Sequence, residues 1–280
     1  MEIRLHDDLE TFAKLALPLL RADPVRHTVA ISVLTAHLRP DAPRNLTHLI
    51  TVHEDGEVAG VALQSSGWAM IVSALPVRFA PALASLLAER GPEPHGVSGP
   101  QPEAEAFAEA WLACTGQGRR DAMRQRLFAL QKLTPPTGVA GGARLATLED
   151  VELLVRWRND FTDDALPPSW PRAGAEAVAR QIRAGQGNVL WVAGGLPVAM
   201  ATASLPSAGM SRIGPVWTPP PHRNRGFGSA VTAAASRWAL DAGARHVVLY
   251  TDLSNPVSNA IYPRIGYRPQ FDAVELAFDR

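Results

Sequence analysis

Hydrophobic and polar positions follow two different periods along this chain. Apolar residues three and four apart predict helices, whereas short apolar runs and alternating positions predict strands. The predicted helices cover residues 7–22, 24–38, 79–90, 102–114, 148–160, 174–184, 226–242 and 256–264. The predicted strands cover residues 68–74, 122–133, 143–147, 188–193, 197–204, 211–218, 246–251 and 271–278, and a predicted hairpin at residues 49–62 precedes them. Helices and strands interleave, so the pattern predicts a mixed α/β fold.

Two similar hairpin patterns indicate an internal repeat. Residues 49–62 form two apolar runs around Asp55-Gly56, and residues 189–201 form two apolar runs around Gly194-Gly195. Such runs around a glycine-bearing turn are typical of a β-hairpin. In each half, helical segments precede the hairpin, and a further strand and then a helix follow it. The sequence therefore predicts two related α/β domains in tandem.

A stretch rich in proline and glycine separates the two halves. Residues 134–138 read Thr-Pro-Pro-Thr-Gly, and Gly141-Gly142 follows closely. Adjacent prolines and nearby glycines oppose both a helix and a central strand. We therefore predict domains at residues 1–135 and 141–280, and each of them has a common domain size.

Composition narrows the classes of partner. The 280 residues are 46% hydrophobic, which is enough for a sizeable core. The 27 basic and 27 acidic residues give a formal net charge of zero, so no global positive field attracts phosphate backbones or anionic lipid. We expect no nucleic-acid partner and no membrane partner.

Cysteine usage and the first residues bear on the compartment. Cys114 is the only cysteine, which excludes an intrachain disulfide and a zinc site built from cysteines. The first residues lack the basic and apolar regions of a signal peptide. We expect a cytoplasmic protein. Because His48 and His53 fall on opposite faces of one predicted strand, we also predict no metal site.

The segment at residues 216–229 has features of a phosphate-binding loop. A strand ends in prolines, and a glycine-bearing loop then opens a long helix. Unpaired N–H groups at the helix start, with Gly226 and Gly228 beside them, let an oxyanion approach the backbone. Arg223 and Arg225 add positive charge. The loop lacks the Lys-Ser/Thr pair of a P-loop and the third glycine of a dinucleotide fingerprint, so it belongs to another pattern.

Two signatures in order identify that pattern. Arg223-x-x-Gly226-x-Gly228 resembles the pyrophosphate-binding signature of the GNAT superfamily of N-acetyltransferases. Residues 249–267 are similar to that family's strand, asparagine loop, tyrosine-bearing helix and Gly-aromatic turn. The resemblance covers residues 143–280. It implies tandem GNAT-like domains, each a mixed, mostly antiparallel twisted sheet flanked by helices, and acetyl-CoA as the cosubstrate. Residues 74–81 lack the glycines, so the first half is interpreted as a degenerate copy.

The resemblance also assigns residues to the cosubstrate. The strand at 216–218 would contact the pantetheine arm, the loop at 223–229 would hold the pyrophosphate, and two asparagines would add contacts. These candidate residues are Val216, Trp217, Thr218, Arg223, Asn224, Arg225, Gly226, Phe227, Gly228, Ser229, Asn255 and Asn259.

Acetyl transfer also needs an acid and a base. The resemblance implies that Tyr262 protonates the departing coenzyme A thiolate, and helical projection places Tyr262 off the apolar stripe, toward a cleft or solvent. Residues 211–215 supply no carboxylate as the base. Asp252 is a candidate base, or it caps the loop at 253–255; a water-relayed base or an amine of low pKa are the alternatives.

Trp157 and Phe161 fall where GNAT proteins commonly shape the acceptor pocket, although core packing also explains Trp157.

The leading function is an acetyl-CoA-dependent N-acetyltransferase that acts on a primary amine of a small molecule, peptide or protein. The second is a non-catalytic acyl-CoA-binding sensor or scaffold. A third is transfer of another acyl group or transfer to a hydroxyl or thiol. We expect a monomer or a homodimer, because a tandem pair can replace a dimer partner.

Overall fold

The computed structural model describes residues 1–39, 42, 45–167 and 170–279. Its helices are α1 (Leu9–Ala22), α2 (Thr28–His37), α3 (Ala80–Arg90), α4 (Gln101–Thr115), α5 (Val151–Ala165), α6 (Ala175–Arg183), α7 (Phe227–Asp241) and α8 (Pro256–Arg264). Its strands are β1 (Glu2–Leu5), β2 (Leu46–Glu54), β3 (Glu57–Ser65), β4 (Met70–Ala74), β5 (Gly96–Pro100), β6 (Arg119–Leu130), β7 (Gly142–Leu145), β8 (Gly187–Ala193), β9 (Leu196–Ala203), β10 (Met210–Trp217), β11 (His246–Asp252) and β12 (Tyr267–Phe278).

The chain divides into two compact units, the first of which is built from two separate segments of the chain. Unit 1 comprises Met1–Gln125 and Phe271–Arg280, and unit 2 comprises Arg126–Gln270. These units differ from the predicted division at 135–141 in two places. Residues 126–135 belong to unit 2, and the last segment of the chain belongs to unit 1. Local composition marks a loop well but carries no information about which sheet a strand joins.

Unit 1 contains the strand order β1-β2-β3-β4-β5-β12. Neighbouring strands are antiparallel except β4 and β5, which run parallel. The C-terminal strand pairs with β5 from Ala273 opposite Pro100 to Ala277 opposite Gly96. Val274, Leu276 and Phe278 thereby enter the apolar core of unit 1.

Strands β1 and β5 were not predicted, and β5 shows why. Its sequence, Gly-Val-Ser-Gly-Pro, has little of the β-branched and aromatic content that marks a strand. A Cβ added at Gly96 would lie 2.3 Å from the Leu276 carbonyl oxygen. Close approach of the C-terminal strand therefore requires glycine there. The partner that makes this segment a strand lies far away in the sequence.

Unit 2 contains the strand order β6-β11-β10-β9-β8-β7. The pairs from β7 to β10 are antiparallel, whereas β10 and β11 are parallel. Helix α7 covers one face, on which Val231, Ala235 and Ala239 are buried in the apolar core. The other face carries a second cluster with α5 and α6. This arrangement confirms the mixed, mostly antiparallel sheet with flanking helices. Among the described residues, no helix is both long and apolar enough to cross a membrane.

The assignment of the C-terminal strand to unit 1 can be tested by one core substitution. Leu276 is 1% exposed in the core of unit 1, so Leu276→Ala should lower the free energy of unfolding by about 2–5 kcal/mol. Hydrogen exchange should accelerate in β5 and stay unchanged in β8. Leu196→Ala is the control, because Leu196 is 67% exposed and its truncation should change stability by less than about 0.5 kcal/mol. Equal acceleration in β5 and β8 would contradict the assignment.

Candidate functional site

The parallel strands β10 and β11 separate at their carboxyl ends. Their pairing runs from Met210 opposite His246 to Ile213 opposite Leu249 and then stops. Strand β10 nevertheless stays paired with β9 as far as Trp217, after a register shift between Ile213 and Val216. Backbone groups of residues 214–217 that face β11 therefore have no ladder partner there. Such an opening leaves N–H and C=O groups available to a ligand.

The loop after β10 delivers a helix N-terminus to this opening. Residues Pro220–His222 form one 3₁₀ turn, and Asn224 and Gly226 follow with φ of +61° and +79°. Gly226 is the N-cap of α7, and its carbonyl accepts the hydrogen bond of the Ala230 N–H at 3.0 Å. The N–H groups of residues 227–229 precede that bond and have no intrahelical acceptor. They can bind an anion, and the helix dipole favours one.

The two loop glycines have different roles. Gly226 adopts a left-handed conformation, and a Cβ there would also lie 3.0 Å from the Val139 side chain. At Gly228 the nearest atom to an added Cβ is the Thr218 hydroxyl, at 3.4 Å. Gly226 is thus required by the fold itself. Gly228 leaves space that the described protein does not use.

The two loop arginines are both held by aromatic rings. Arg223 lies 4.7 Å over the ring of Trp217, donates from Nε to the Thr218 carbonyl at 3.0 Å, and pairs with Asp164 at 3.1 Å. Arg225 lies 4.9 Å over the ring of Phe227. The ion pair with Asp164 is largely exposed, so it contributes little stability. Both guanidinium groups stay at the loop, where their charge adds to that of the helix N-terminus.

Asp252 and Asn259 build the turn that follows β11. Asp252 accepts hydrogen bonds from the Ser254 N–H and hydroxyl, both at 2.7 Å. The Asn259 amide donates to the carbonyls of Asp252, Leu253 and Asn255 at 3.0, 3.3 and 2.8 Å. Its Oδ1 is buried and lacks a hydrogen-bond partner in the described chain. Of the two predicted roles of Asp252, the structure contains the capping one, and Asn259 offers one acceptor to a ligand.

The ring of Tyr262 is not on a free surface, contrary to the helical projection. Tyr262 is 8% exposed and packs in the core of unit 2. Its ring centroid lies 6.0 Å from that of Phe128 and 6.1 Å from that of Tyr267. The projection considered one helix alone and so missed the rings that β6 and β12 bring against it. Tyr267 in turn shares a 2.6 Å hydrogen bond with Ser236, and burial raises the pKa of Tyr267.

The two residues predicted for the acceptor pocket have different surroundings. Trp157 is 6% exposed and belongs to the apolar cluster between α5, α6 and the sheet. Phe161, one turn further along α5, meets the Trp217 ring edge-to-face with centroids 6.5 Å apart. Trp157 is therefore a packing residue, and Phe161 borders the strand opening.

Two arginines were missed by sequence reasoning. Arg212 lies on β10, and Arg158 lies on α5. Burial lowers the pKa of both, that of Arg158 to about 10. A charged residue within an apolar strand was the available signal. Among the described residues, no group of three or more His, Cys, Asp or Glu side chains could hold a metal ion.

Comparison with a known family agrees with this geometry. Residues 152–267 match the model of the Acetyltransferase (GNAT) family. Unit 2 carries a GNAT acetyltransferase domain. The matched segment runs from α5 to the first residue of β12 and includes the strand opening and the glycine loop. The family supports acyl-CoA-dependent acetyl transfer as the general activity of this domain.

Solved structures of similar fold extend over the whole chain. A GNAT acetyltransferase from Colwellia psychrerythraea is 11% identical with a TM-score of 0.64 and covers 100% of both chains. A GCN5-related N-acetyltransferase from Sphaerobacter thermophilus is 19% identical with a TM-score of 0.61, over 99% of this chain and 95% of that chain. A tandem GNAT protein from the clavulanic acid biosynthesis pathway is 15% identical with a TM-score of 0.58, over 99% and 98%. These likenesses confirm the predicted tandem fold. No curated protein matches the sequence.

The role of Asn259 in the turn can be tested by two substitutions. Asn259→Ala removes the donor of three carbonyls, so amide exchange at residues 252–259 should accelerate and stability should fall by about 1–3 kcal/mol. Asn259→Asp keeps the shape but turns an oxygen toward the same carbonyls, and it should destabilise at least as much. Exchange mass spectrometry and urea unfolding measure both effects. A wild-type profile for Asn259→Asp would show that the amide is oriented the other way.

Proposed function

We propose that unit 2 is an acetyl-CoA-dependent N-acetyltransferase that acts on a primary amine. The observation that carries the proposal is the strand opening with a helix N-terminus beside it. Pairing of β10 with β11 stops at Ile213, and α7 begins at Phe227 with its first N–H groups free of intrahelical acceptors. The opening suits an extended chain, and the helix N-terminus suits the anionic end of that chain.

The residues present fit the cosubstrate. The N–H groups of the loop at 223–229, with Arg223 and Arg225, would hold the pyrophosphate, for which the space beside Gly228 leaves room. Backbone groups of Val216, Trp217 and Thr218 would bind the amides of the pantetheine arm. The buried, unpaired Oδ1 of Asn259 would accept one further hydrogen bond.

Bound acetyl-CoA supplies an acetyl group activated as a thioester. In the reaction a C–N bond forms to the amine and the C–S bond breaks. An N–H of residues 216–218 that faces the opening would stabilise the negative charge on the carbonyl oxygen. Tyr262 would give a proton to the departing thiolate, because a phenol remains protonated at neutral pH.

The proton that the amine loses has no dedicated acceptor on β10. Asp252 already accepts two hydrogen bonds, from the Ser254 N–H and hydroxyl, and holds the turn after β11. The amine would therefore enter in its neutral form, and the proton that its nitrogen loses as the C–N bond forms would pass to water or, through water, to the Asp252 carboxylate.

A non-catalytic acyl-CoA sensor is the second candidate. The buried ring of Tyr262 and the capping role of Asp252 favour the sensor, because the ring packs in the core of unit 2 and the carboxylate stabilises the turn after β11. Binding without turnover on any amine would support the sensor.

Calorimetric titration with acetyl-CoA tests the loop. Wild type should bind one molecule, and Gly228→Glu should lose binding by about 100-fold or more, because its side chain and charge would occupy the pyrophosphate space. The protein itself tolerates a Cβ at this position, with its nearest contact at 3.4 Å. Glu149→Gln, on an exposed residue far along the chain from the loop, is the charge-change control. Unchanged affinity for Gly228→Glu would refute the loop assignment.

The acid role of Tyr262 is tested by Tyr262→Phe. Phenylalanine keeps the ring contacts with Phe128 and Tyr267 and removes only the hydroxyl. Turnover should fall by about 10²-fold or more, while acetyl-CoA affinity changes little. Steady-state release of free coenzyme A thiol gives kcat, and calorimetry gives the affinity. Undiminished turnover would remove Tyr262 from the mechanism.

A further inference from the structure

Among the described residues of unit 2, three buried N–H groups of arginine and tryptophan side chains have no hydrogen-bond partner. They are Nη1 of Arg212, Nε of Arg158 and Nε1 of Trp217. All three groups can only donate, because neither a guanidinium nor an indole N–H accepts a hydrogen bond. A ligand that satisfies them must bring acceptor atoms.

These donors lie on one face of the sheet. The Ser204 N–H donates to the Arg212 carbonyl at 3.0 Å, and Trp217 is opposite Met200 on β9. Arg158 reaches the same strand from α5 and donates to the Thr202 hydroxyl at 3.2 Å. Positions 200, 202 and 204 of a strand point to one side. That side is the one covered by α5 and α6, since Trp217 and Met200 share their apolar cluster.

The positive charge on this face has no counter-anion within the described residues. Arg158 donates to Gln181 at 2.7 Å, to Asn188 at 2.5 Å and to Thr202, which are all neutral. Neither Arg158 nor Arg212 belongs to an ion pair of the described chain. A buried cation without a partner is costly. Arg158 has a structural reason to be there, because it ties α5 to α6 and to two strands.

Arg212 does not tie elements of the fold together in this way. Its backbone N–H donates to the Ser204 hydroxyl at 2.9 Å, but the buried Nη1 of its guanidinium has no hydrogen-bond partner within the described chain. It lies opposite Val248, one residue before the pairing of β10 with β11 ends. Trp217 lies at the other end of the opening, with Phe161 against its ring. Arg212 and Trp217 therefore lie at the two ends of the opening in which the proposed function places the reaction.

We propose that the acceptor is an amine that carries its own oxyanion group, in the first place a carboxylate, and that Arg212 binds this group. The proposal rests on the proposed function and adds the substrate class. A planar carboxylate matches the fork of guanidinium donors, and a phosphonate or phosphate shares the same acceptor chemistry. Arg158 and Trp217 supply the further donors. The amine end of the acceptor then extends toward residues 214–217.

Binding tests the proposal without turnover. The probes are the linear amino acids from glycine to 6-aminohexanoate, each with its carboxamide analogue, and aminoalkylphosphonates of the same lengths. Saturating coenzyme A keeps the probes from the pyrophosphate loop. At least one carboxylate or phosphonate should raise the thermal unfolding midpoint of wild type by several degrees, and its uncharged analogue should not.

Variants assign this effect to Arg212. Arg212→Gln should abolish the midpoint shift, and Arg212→Lys should retain part of it. Arg156→Gln is the matched control, because it removes an exposed positive charge two residues from Arg158 and should leave the shift intact. Near-UV circular dichroism establishes that each variant is folded. A folded Arg212→Gln protein with the full shift would overturn the proposal, and so would the absence of any shift in wild type.

Turnover adds a second readout. In wild type, kcat/KM for the best carboxylate should exceed that for its amide by about tenfold or more, and in Arg212→Gln the ratio should fall to about one, mainly through KM. The failures are distinguishable. Absence of acetyl-CoA binding would refute the proposed function itself. Binding and turnover with equal kcat/KM for carboxylate and amide would overturn only the anionic acceptor.

Discussion

The end of pairing between β10 and β11 is the constraint on which the rest of unit 2 depends. The ladder stops after Ile213, where Gly214 adopts a φ of +147° and Pro215 has no N–H to donate. Pairing with β9 continues on the other side, so β10 stays in the sheet while its β11 side opens. One edge of β10 is thus left unpaired inside the sheet. Every proposed contact with acetyl-CoA is placed relative to that edge.

Unit 1 has a similar strand pair without the binding loop. Strands β4 and β5 are parallel at Met70 opposite Val97 and Ile71 opposite Ser98, and β4 then continues to Ala74. The following turn is filled by Leu75 and Phe79, which are 1% and 2% exposed in the core of unit 1. Apolar side chains occupy the loop where unit 2 has Gly226 and Gly228. This supports our interpretation of the first half as a degenerate copy that lacks the anion site.

Charge separates the two ends of the proposed site in unit 2. The loop at 223–229 combines a helix N-terminus with two arginines at the surface, where an anion can bind while partly solvated. Arg212 and Arg158 are different, because burial lowers the pKa of each and the described chain pairs neither with a carboxylate. The two proposed anion sites would suit a transferase that brings together two charged substrates. The general acetyl transfer that the family supports needs only the first of them.

The sequence by itself determined the elements that local pattern encodes. Helices α7 and α8, the hairpins, the tandem repeat and the glycine loop follow from periodicity and from residues whose backbone preferences are strong. Only the tertiary structure decided the rest, because it depends on contacts between separate elements of the fold. Gly96–Pro100 is a strand only because the C-terminal strand pairs with it. The rings of Phe128 and Tyr267 bury the ring of Tyr262. Strand β9 brings Arg212 and Arg158 to the same face of the sheet. Local propensity cannot encode a contact whose energy comes from a residue in another element of the fold.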